Sequence, residues 1–189
     1  NFFYFFSDKM KPYYKEWVKL ELSFAVICTG FLGSLTQIAI VEDFFRIFRD
    51  SGTLVVVDPI MADGGVPYAT YTPQMCARIK QLVLHADIIT PNVTEACILT
   101  NTPYTEDMTI EDMKKMIPLL HDLGPQKVVI TGVERKSDNG TMIGNIVSEK
   151  GYSSVYTQMP MLGPSRAGTG DVFSAIIFGA AIKKMDFLS

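Results

Sequence analysis

The chain has 189 residues, 48% of them hydrophobic and 20% charged, a globular composition long enough to bury a core and unlike that of a disordered segment. Its 17 Lys and Arg against 20 Asp and Glu give a net charge of −3 with no basic run, which argues against nucleic-acid or membrane-surface partners. The apolar opening Asn1–Phe6 reads as a short strand, and Ser7-Asp8 as the cap of a helix reaching about Leu22. Phe24–Cys28 is a strand that enters the loop Thr29–Ser34. Ser34–Asp50 is an amphipathic helix, with Glu42, Arg46, Arg49 and Asp50 on one polar stripe. Thr53–Val57 is continuously apolar and β-branched, as in a strand covered on both faces of a parallel sheet. A helix follows over about Pro73–His85, then a strand Asp87–Thr90 that stops at Pro91 and a helix starting near Asn92. The next helix spans about Ile110–Leu123, with Pro118 implying a kink or early break. Lys127–Thr131 is another buried strand; Thr141–Ser148 and Ser153–Thr157 read as antiparallel strands reached through a turn at Asp138-Asn139-Gly140. A last helix covers Asp171 to about Lys184.

Strands and helices alternate with short connections, and neither repeat nor linker interrupts them. The pattern predicts one α/β domain over residues 1–189, a doubly wound, mostly parallel sheet flanked by helices on both faces with a small antiparallel addition. Cys28, Cys76 and Cys97 are far apart and match neither a disulfide framework nor metal-ligand spacing, so a cytoplasmic, reducing home is expected. The opening lacks the basic region and length of a signal peptide, and no run reaches membrane-spanning length. The chain starts without methionine and stops just behind a helix at Ser189, so a fragment is expected. His85 and His121 fall near helix ends, where contact with the dipole or solvent is the plain reading. Tyr13, Tyr14 and Trp17 read as packing or a dimer surface.

The stretch Gly168-Thr169-Gly170-Asp171, directly ahead of an apolar helical run, has two readings. It is an ordinary loop ending in an acid that suits the helix dipole. Alternatively, the glycines let a phosphate approach amides at a helix start, and Asp171 is a base that deprotonates an attacking hydroxyl. Ligands of such folds bind at the carboxyl ends of the strands. Those ends deliver Asp58 and Asp63 with Gly64-Gly65, then Thr90, Asn92 and Glu95, then Thr131-Gly132. Oxygens of Asp, Asn and Glu with room for water suit Mg²⁺. Taken alone, Asn92 and Glu95 also form the sequence pattern of a capping box, and Asp58-Pro59 that of a strand-ending turn.

Together, Asp58-Pro59-Ile60-Met61-Ala62-Asp63-Gly64-Gly65, Thr90-Pro91-Asn92-Val93-Thr94-Glu95, Val129-Ile130-Thr131-Gly132 and Gly168-Thr169-Gly170-Asp171 resemble the ribokinase-like superfamily, most closely its pyridoxal (vitamin B6) kinase branch. The likeness runs from about Thr29 to Lys184. It implies a kinase domain that lacks the family's amino-terminal strand region and carboxyl-terminal end, and ATP-dependent phosphorylation of the hydroxymethyl group of pyridoxal, pyridoxine or pyridoxamine. By the same resemblance Asp171 is the base, and the amides of Gly168, Thr169 and Gly170 are the anion hole. Asp63 and Glu95 hold Mg²⁺ directly or through water, with Asn92 in support. Asp58, Thr90 and Thr131, with Gly132, match positions around the nucleotide phosphates and a monovalent cation such as K⁺. Relatives in this branch are commonly homodimers. Ala62 stands where the family usually has glycine, Phe31 where pyridoxal kinases often have tyrosine, and Gly132 in place of a common serine. Hydroxymethylpyrimidine/phosphomethylpyrimidine kinases resemble the chain at Asp58-Pro59 and Thr90-Pro91-Asn92, but typically carry cysteine where Asp171 stands. A relative that binds nucleotide or vitamer without turnover is the remaining alternative.

Overall fold

A computed structural model describes residues 6–138, 140–163 and 168–188. In chain order the elements are α1 (Ser7–Lys19), β1 (Val26–Thr29), α2 (Leu35–Phe48), β2 (Leu54–Val57), β3 (Ala62–Asp63), β4 (Val66–Pro67), α3 (Pro73–Val83), β5 (Ile88–Ile89), α4 (Val93–Thr100), α5 (Ile110–Asp122), β6 (Lys127–Ser137), β7 (Gly140–Glu149), β8 (Val155–Pro160) and α6 (Thr169–Ile182). Six strands form one sheet in the order β1-β2-β5-β6-β7-β8. The first four pair in parallel and the last two are antiparallel additions. A mostly parallel sheet with helices is therefore what forms, as the alternating pattern predicts. The strand expected over Asn1–Phe6 and the centre of the turn at Asn139 lie outside the described residues.

Val55, Val56 and Val57 are all fully buried, as are Ile88, Ile89 and Val128 to Ile130. Continuous apolar strands leave no solvent face, which is why the middle of the sheet is dry on both sides. Each such side chain contributes on the order of 1.5–3 kcal/mol by leaving water. Toward the amino-terminal end of the chain Tyr14, Trp17, Phe24, Phe44 and Phe48 form a cluster of edge-to-face and tilted rings joining α1 to α2. Tyr14 and Trp17 are thus packing residues.

Four local expectations need correction. Helix α1 begins behind Phe6, which makes no side-chain capping bond, so Ser7-Asp8 lies inside the first turn and does not cap it. Helix α5 runs unbroken through Pro118. Pro118 points to solvent, where the carbonyl deprived of its donor can meet water, while Met113, Met116, Ile117 and Leu120 bury the opposite face. That burial exceeds the roughly 3 kcal/mol cost of an internal proline. His121 is buried in place of meeting solvent, its ring held between the Pro125 carbonyl at 2.9 Å and Ser148 Oγ at 3.0 Å. Strand β6 does not end at Thr131 but continues to Ser137, with its register against β7 shifting between Ile130 and Val133. Gly132, at φ 68°, supplies the left-handed residue of that bulge.

Candidate active site

The carboxyl ends of β1, β2 and β5 and the start of α6 converge. Asp58 follows β2 directly; its amide donates to the Thr29 carbonyl at 3.2 Å, which ties it to the end of β1. Its carboxylate is buried and accepts a hydrogen bond from Ser174 Oγ at 3.0 Å. Thr90 Oγ1, just past β5, lies 3.3 Å from the same Ser174 hydroxyl. Burial pushes the Asp58 carboxyl up to about 6, the two hydroxyl bonds pull it back, and the Asp171 charge adds a smaller upward push.

Helix α6 starts behind Gly168, whose φ of 87° and lack of a capping side chain leave the turn to glycine. A β-carbon placed at Gly168 or Gly170 meets nothing within 4 Å, so a ligand can approach that backbone. Asp171 sits in the first helical turn and is exposed. A β-carbon on Gly30 would stand 3.9 Å from its Oδ1, which places the carboxylate opposite the loop leaving β1. Cys28, on β1, feels both acids: burial first, then Asp58 and Asp171, push its thiol up to about 11, so it stays protonated.

Asn92 and Glu95 form the capping box of α4. The Glu95 amide donates to Asn92 Oδ1 at 2.9 Å, and the Asn92 amide donates to Glu95 Oε2 at 2.8 Å. Glu95 also reaches outward, because Oε1 accepts from the Met61 amide at 3.0 Å and Asn92 Nδ2 donates to the Ala62 carbonyl at 2.8 Å. The pair therefore fastens the segment before the β3–β4 hairpin to α4. Glu95 is 3% exposed, and burial pushes it up to about 8 in spite of its backbone donors. Asp63 stands apart on the exposed tip of the hairpin, bonding the Gly64 amide at 2.8 Å. Gly64 and Gly65, at φ 55° and 80°, make that turn of the type I′ kind. Thr131, in the β6 bulge, bridges to Asn92 and donates its amide to the Pro91 carbonyl at 2.8 Å.

The structure thus gathers Asp58, Thr90, Asp171 and the glycine turn at one point, and places Asn92, Glu95, Thr131 and Gly132 beside one another at the next strand ends. The hairpin that carries Asp63 is tied to α4 by Asn92 Nδ2 on the Ala62 carbonyl at 2.8 Å and the Gly65 amide on Thr94 Oγ1 at 2.9 Å, and the Tyr68 phenol beside it is raised by its own burial and then by Asp63, Glu95 and Asp58. Among the described residues no group of three His, Cys, Asp or Glu has metal-site geometry. None of the ion pairs among them involves Asp58, Asp63, Glu95 or Asp171. Carboxylates without a paired cation among the described residues suit a divalent ion that keeps its waters and needs one or two of them. Asp63, and Glu95 through water, are oxygen donors of the right type.

Residues that the linear reading overlooked include Ser174 and Tyr71. Tyr71 is buried, donates to the Leu32 carbonyl at 2.7 Å and meets the Phe31 ring edge-on at 5.9 Å, which braces the loop after β1. Ser174 stands out in the sequence only as the one hydroxyl within the apolar run Val172–Ile182, which does not name its partner. A separate cavity of about 490 Å³, lined by Met108, Ile110, Met113, Val133, Arg135 and Tyr156, opens at the start of α5 and shares no residue with this site.

The fold matches that of small-molecule kinases. The family model described as phosphomethylpyrimidine kinase matches residues 15–188, and the chain belongs to that family. A solved structure from Bacteroides thetaiotaomicron, described as a phosphomethylpyrimidine kinase and crystallised with pyridoxal, is 37% identical with a TM-score of 0.87, covering 96% of this chain and 63% of that one. The pyridoxal kinase of Lactobacillus plantarum is 28% identical, with a TM-score of 0.81 over 96% of this chain and 63% of its own. The hydroxymethylpyrimidine/phosphomethylpyrimidine kinase of Haemophilus influenzae is 32% identical over 164 residues, 86% of this chain and 59% of that protein. The chain spans about half the length of the curated relatives it matches, from 36% to 59%.

Proposed function

We propose that the chain carries the phosphoryl-transfer half of a kinase that phosphorylates the hydroxymethyl group of pyridoxal, pyridoxine or pyridoxamine with ATP. The observation that carries this reading is Asp171, held in the first turn of α6 behind an open glycine turn and facing Gly30. There its carboxylate takes the proton from the acceptor hydroxyl as oxygen attacks the γ-phosphorus. The backbone of Gly168, Thr169 and Gly170, at the positive end of α6, receives the transferring phosphate. Asp58 and Thr90, with Thr131 and Gly132, border the phosphates and any bound K⁺. Mg²⁺ at Asp63, and at Glu95 through water with Asn92 behind it, would neutralise charge on the nucleotide phosphates. Tyr13 and Val18, exposed on α1, and Leu20 at its carboxyl-terminal cap accord with a homodimer.

A second reading, phosphorylation of hydroxymethylpyrimidine, is favoured by the matching family model and by the Haemophilus influenzae relative. Asp171, where such enzymes typically carry cysteine, weighs toward the B6 vitamers. Measuring ADP release from Mg²⁺-ATP with pyridoxal, pyridoxamine and hydroxymethylpyrimidine in parallel separates the two. Stimulation by a vitamer is expected; stimulation by the pyrimidine alone moves the protein to the second reading. No stimulation by any acceptor refutes both and leaves a binding relative.

A further inference from the structure

Among the described residues of α6, Ser174 alone is buried, at 4% exposure, while Val172 and Ile176 on either side of it are more than half exposed. The helix that presents Asp171 therefore has little apolar packing to fix its position. What fixes it is polar. Ser174 stands three residues after Asp171, so the two share a helix face one turn apart. Its hydroxyl donates to Asp58 Oδ2 at 3.0 Å and lies 3.3 Å from Thr90 Oγ1. Asp58 is held in turn by its amide on the Thr29 carbonyl, 3.2 Å away, and the residue after Thr29 is Gly30. Gly30 is the residue that faces Asp171 Oδ1. The hydrogen bonds thus run from the helix of Asp171 through Ser174, Asp58 and Thr29 to the start of the loop whose Gly30 lies opposite the Asp171 carboxylate.

We infer that Ser174 is a positioning residue, locking α6 onto Asp58 and Thr90 so that the Asp171 carboxylate is held at the loop that follows β1. The inference rests on the kinase reading for its catalytic consequence, but not for its geometry. A hydroxyl is favoured here because Asp58 is a buried carboxylate served by Ser174 and Thr90, and a buried acceptor that loses one of its two donors is destabilised. Threonine can supply the same oxygen; alanine cannot. Displacing a base by a fraction of its reach is enough to slow transfer strongly without altering how tightly substrates bind.

The test compares Ser174→Ala and Ser174→Thr with the parent protein by three readouts. Ser174→Ala lowers kcat for ADP release by about tenfold or more, with KM for ATP and acceptor within about twofold, and Ser174→Thr restores most of the rate. The Asp58 carboxyl, followed by infrared difference or NMR titration, moves upward in the alanine variant because a hydrogen bond that favours its charged form is gone. Amide exchange accelerates over the first turn of α6, while β6 and α5 keep their protection. An unchanged kcat in an active protein overturns the inference, and so does a loss that threonine fails to restore and that comes with faster exchange everywhere. If the parent protein releases no ADP with any acceptor, the kinase reading falls. The anchor is then judged by exchange and titration, and parent-like behaviour of Ser174→Ala in both overturns it.

Discussion

Burial pushes Asp58 and Glu95 toward their protonated forms, and each is held by a different kind of donor that opposes the push. Asp58 is served by hydroxyls, Ser174 and Thr90, whereas Glu95 is served by the backbone amides of Met61 and Asn92. Gly65 shows a constraint of another sort at the same scale. It has φ 80°, and a β-carbon there would stand 2.5 Å from Cδ1 of Tyr104. Gly65→Ala is expected to cost about 1–3 kcal/mol, from left-handed strain together with the displaced ring. Urea unfolding measures this, and a midpoint equal to the parent's would show that the hairpin and Tyr104 yield freely. Much of the candidate site could be read from residue types alone. Asp171 announces itself because glycines flank an acid ahead of an apolar run. The capping box of Asn92 and Glu95 follows from their spacing. Ser174 does not, because nothing local says that a serine three positions beyond Asp171 will meet an aspartate 116 residues earlier in the chain.

At the scale of elements, the same division between local and tertiary causes holds. β-Branched runs at Leu54–Val57 and Val128–Ile130 became buried strands because their composition permits little else. Helix α5 is different: its proline predicts a break, and packing of Met113, Met116, Ile117 and Leu120 prevents it. Pro118→Ala should therefore stabilise the protein by about 1–3 kcal/mol, since a missing intrahelical hydrogen bond is restored on an exposed face. A rise of several degrees in melting temperature is the expected result. A fall would mean that the proline's restriction of the unfolded chain outweighs its cost in the helix. The bulge in β6 is likewise invisible to strand periodicity. Only pairing with β7 shows that Thr131-Gly132 is a detour within a longer strand, one that brings Thr131 against Asn92.

For the molecule as a whole, the raised acids set a direction for stability against pH. Glu95 titrates at about 8 in the folded chain against an ordinary 4.5, so the folded state holds its proton more tightly than the unfolded one. The associated stability is fully present below about 4.5 and is lost as pH rises through about 8. Asp58 acts in the same direction between 3.8 and about 6. In metal-free buffer the melting temperature should decline from pH 5 to about 8.5, and Glu95→Gln should flatten the upper part of that decline. Mg²⁺ at the carboxylates should raise the alkaline arm by offsetting their charge. A flat profile that Mg²⁺ does not alter would contradict the description of an uncompensated acidic site.

The central claim is that Asp171 performs the proton transfer of a phosphoryl-transfer reaction, and ADP release by Asp171→Asn beside the parent protein tests it most directly. Asp171 is exposed, so the substitution should leave the fold and the melting temperature nearly unchanged. The account predicts acceptor-stimulated ADP release that falls by about 10²–10⁴-fold in the variant, with nucleotide affinity preserved. Acceptor-stimulated release at the parent rate from Asp171→Asn would contradict it.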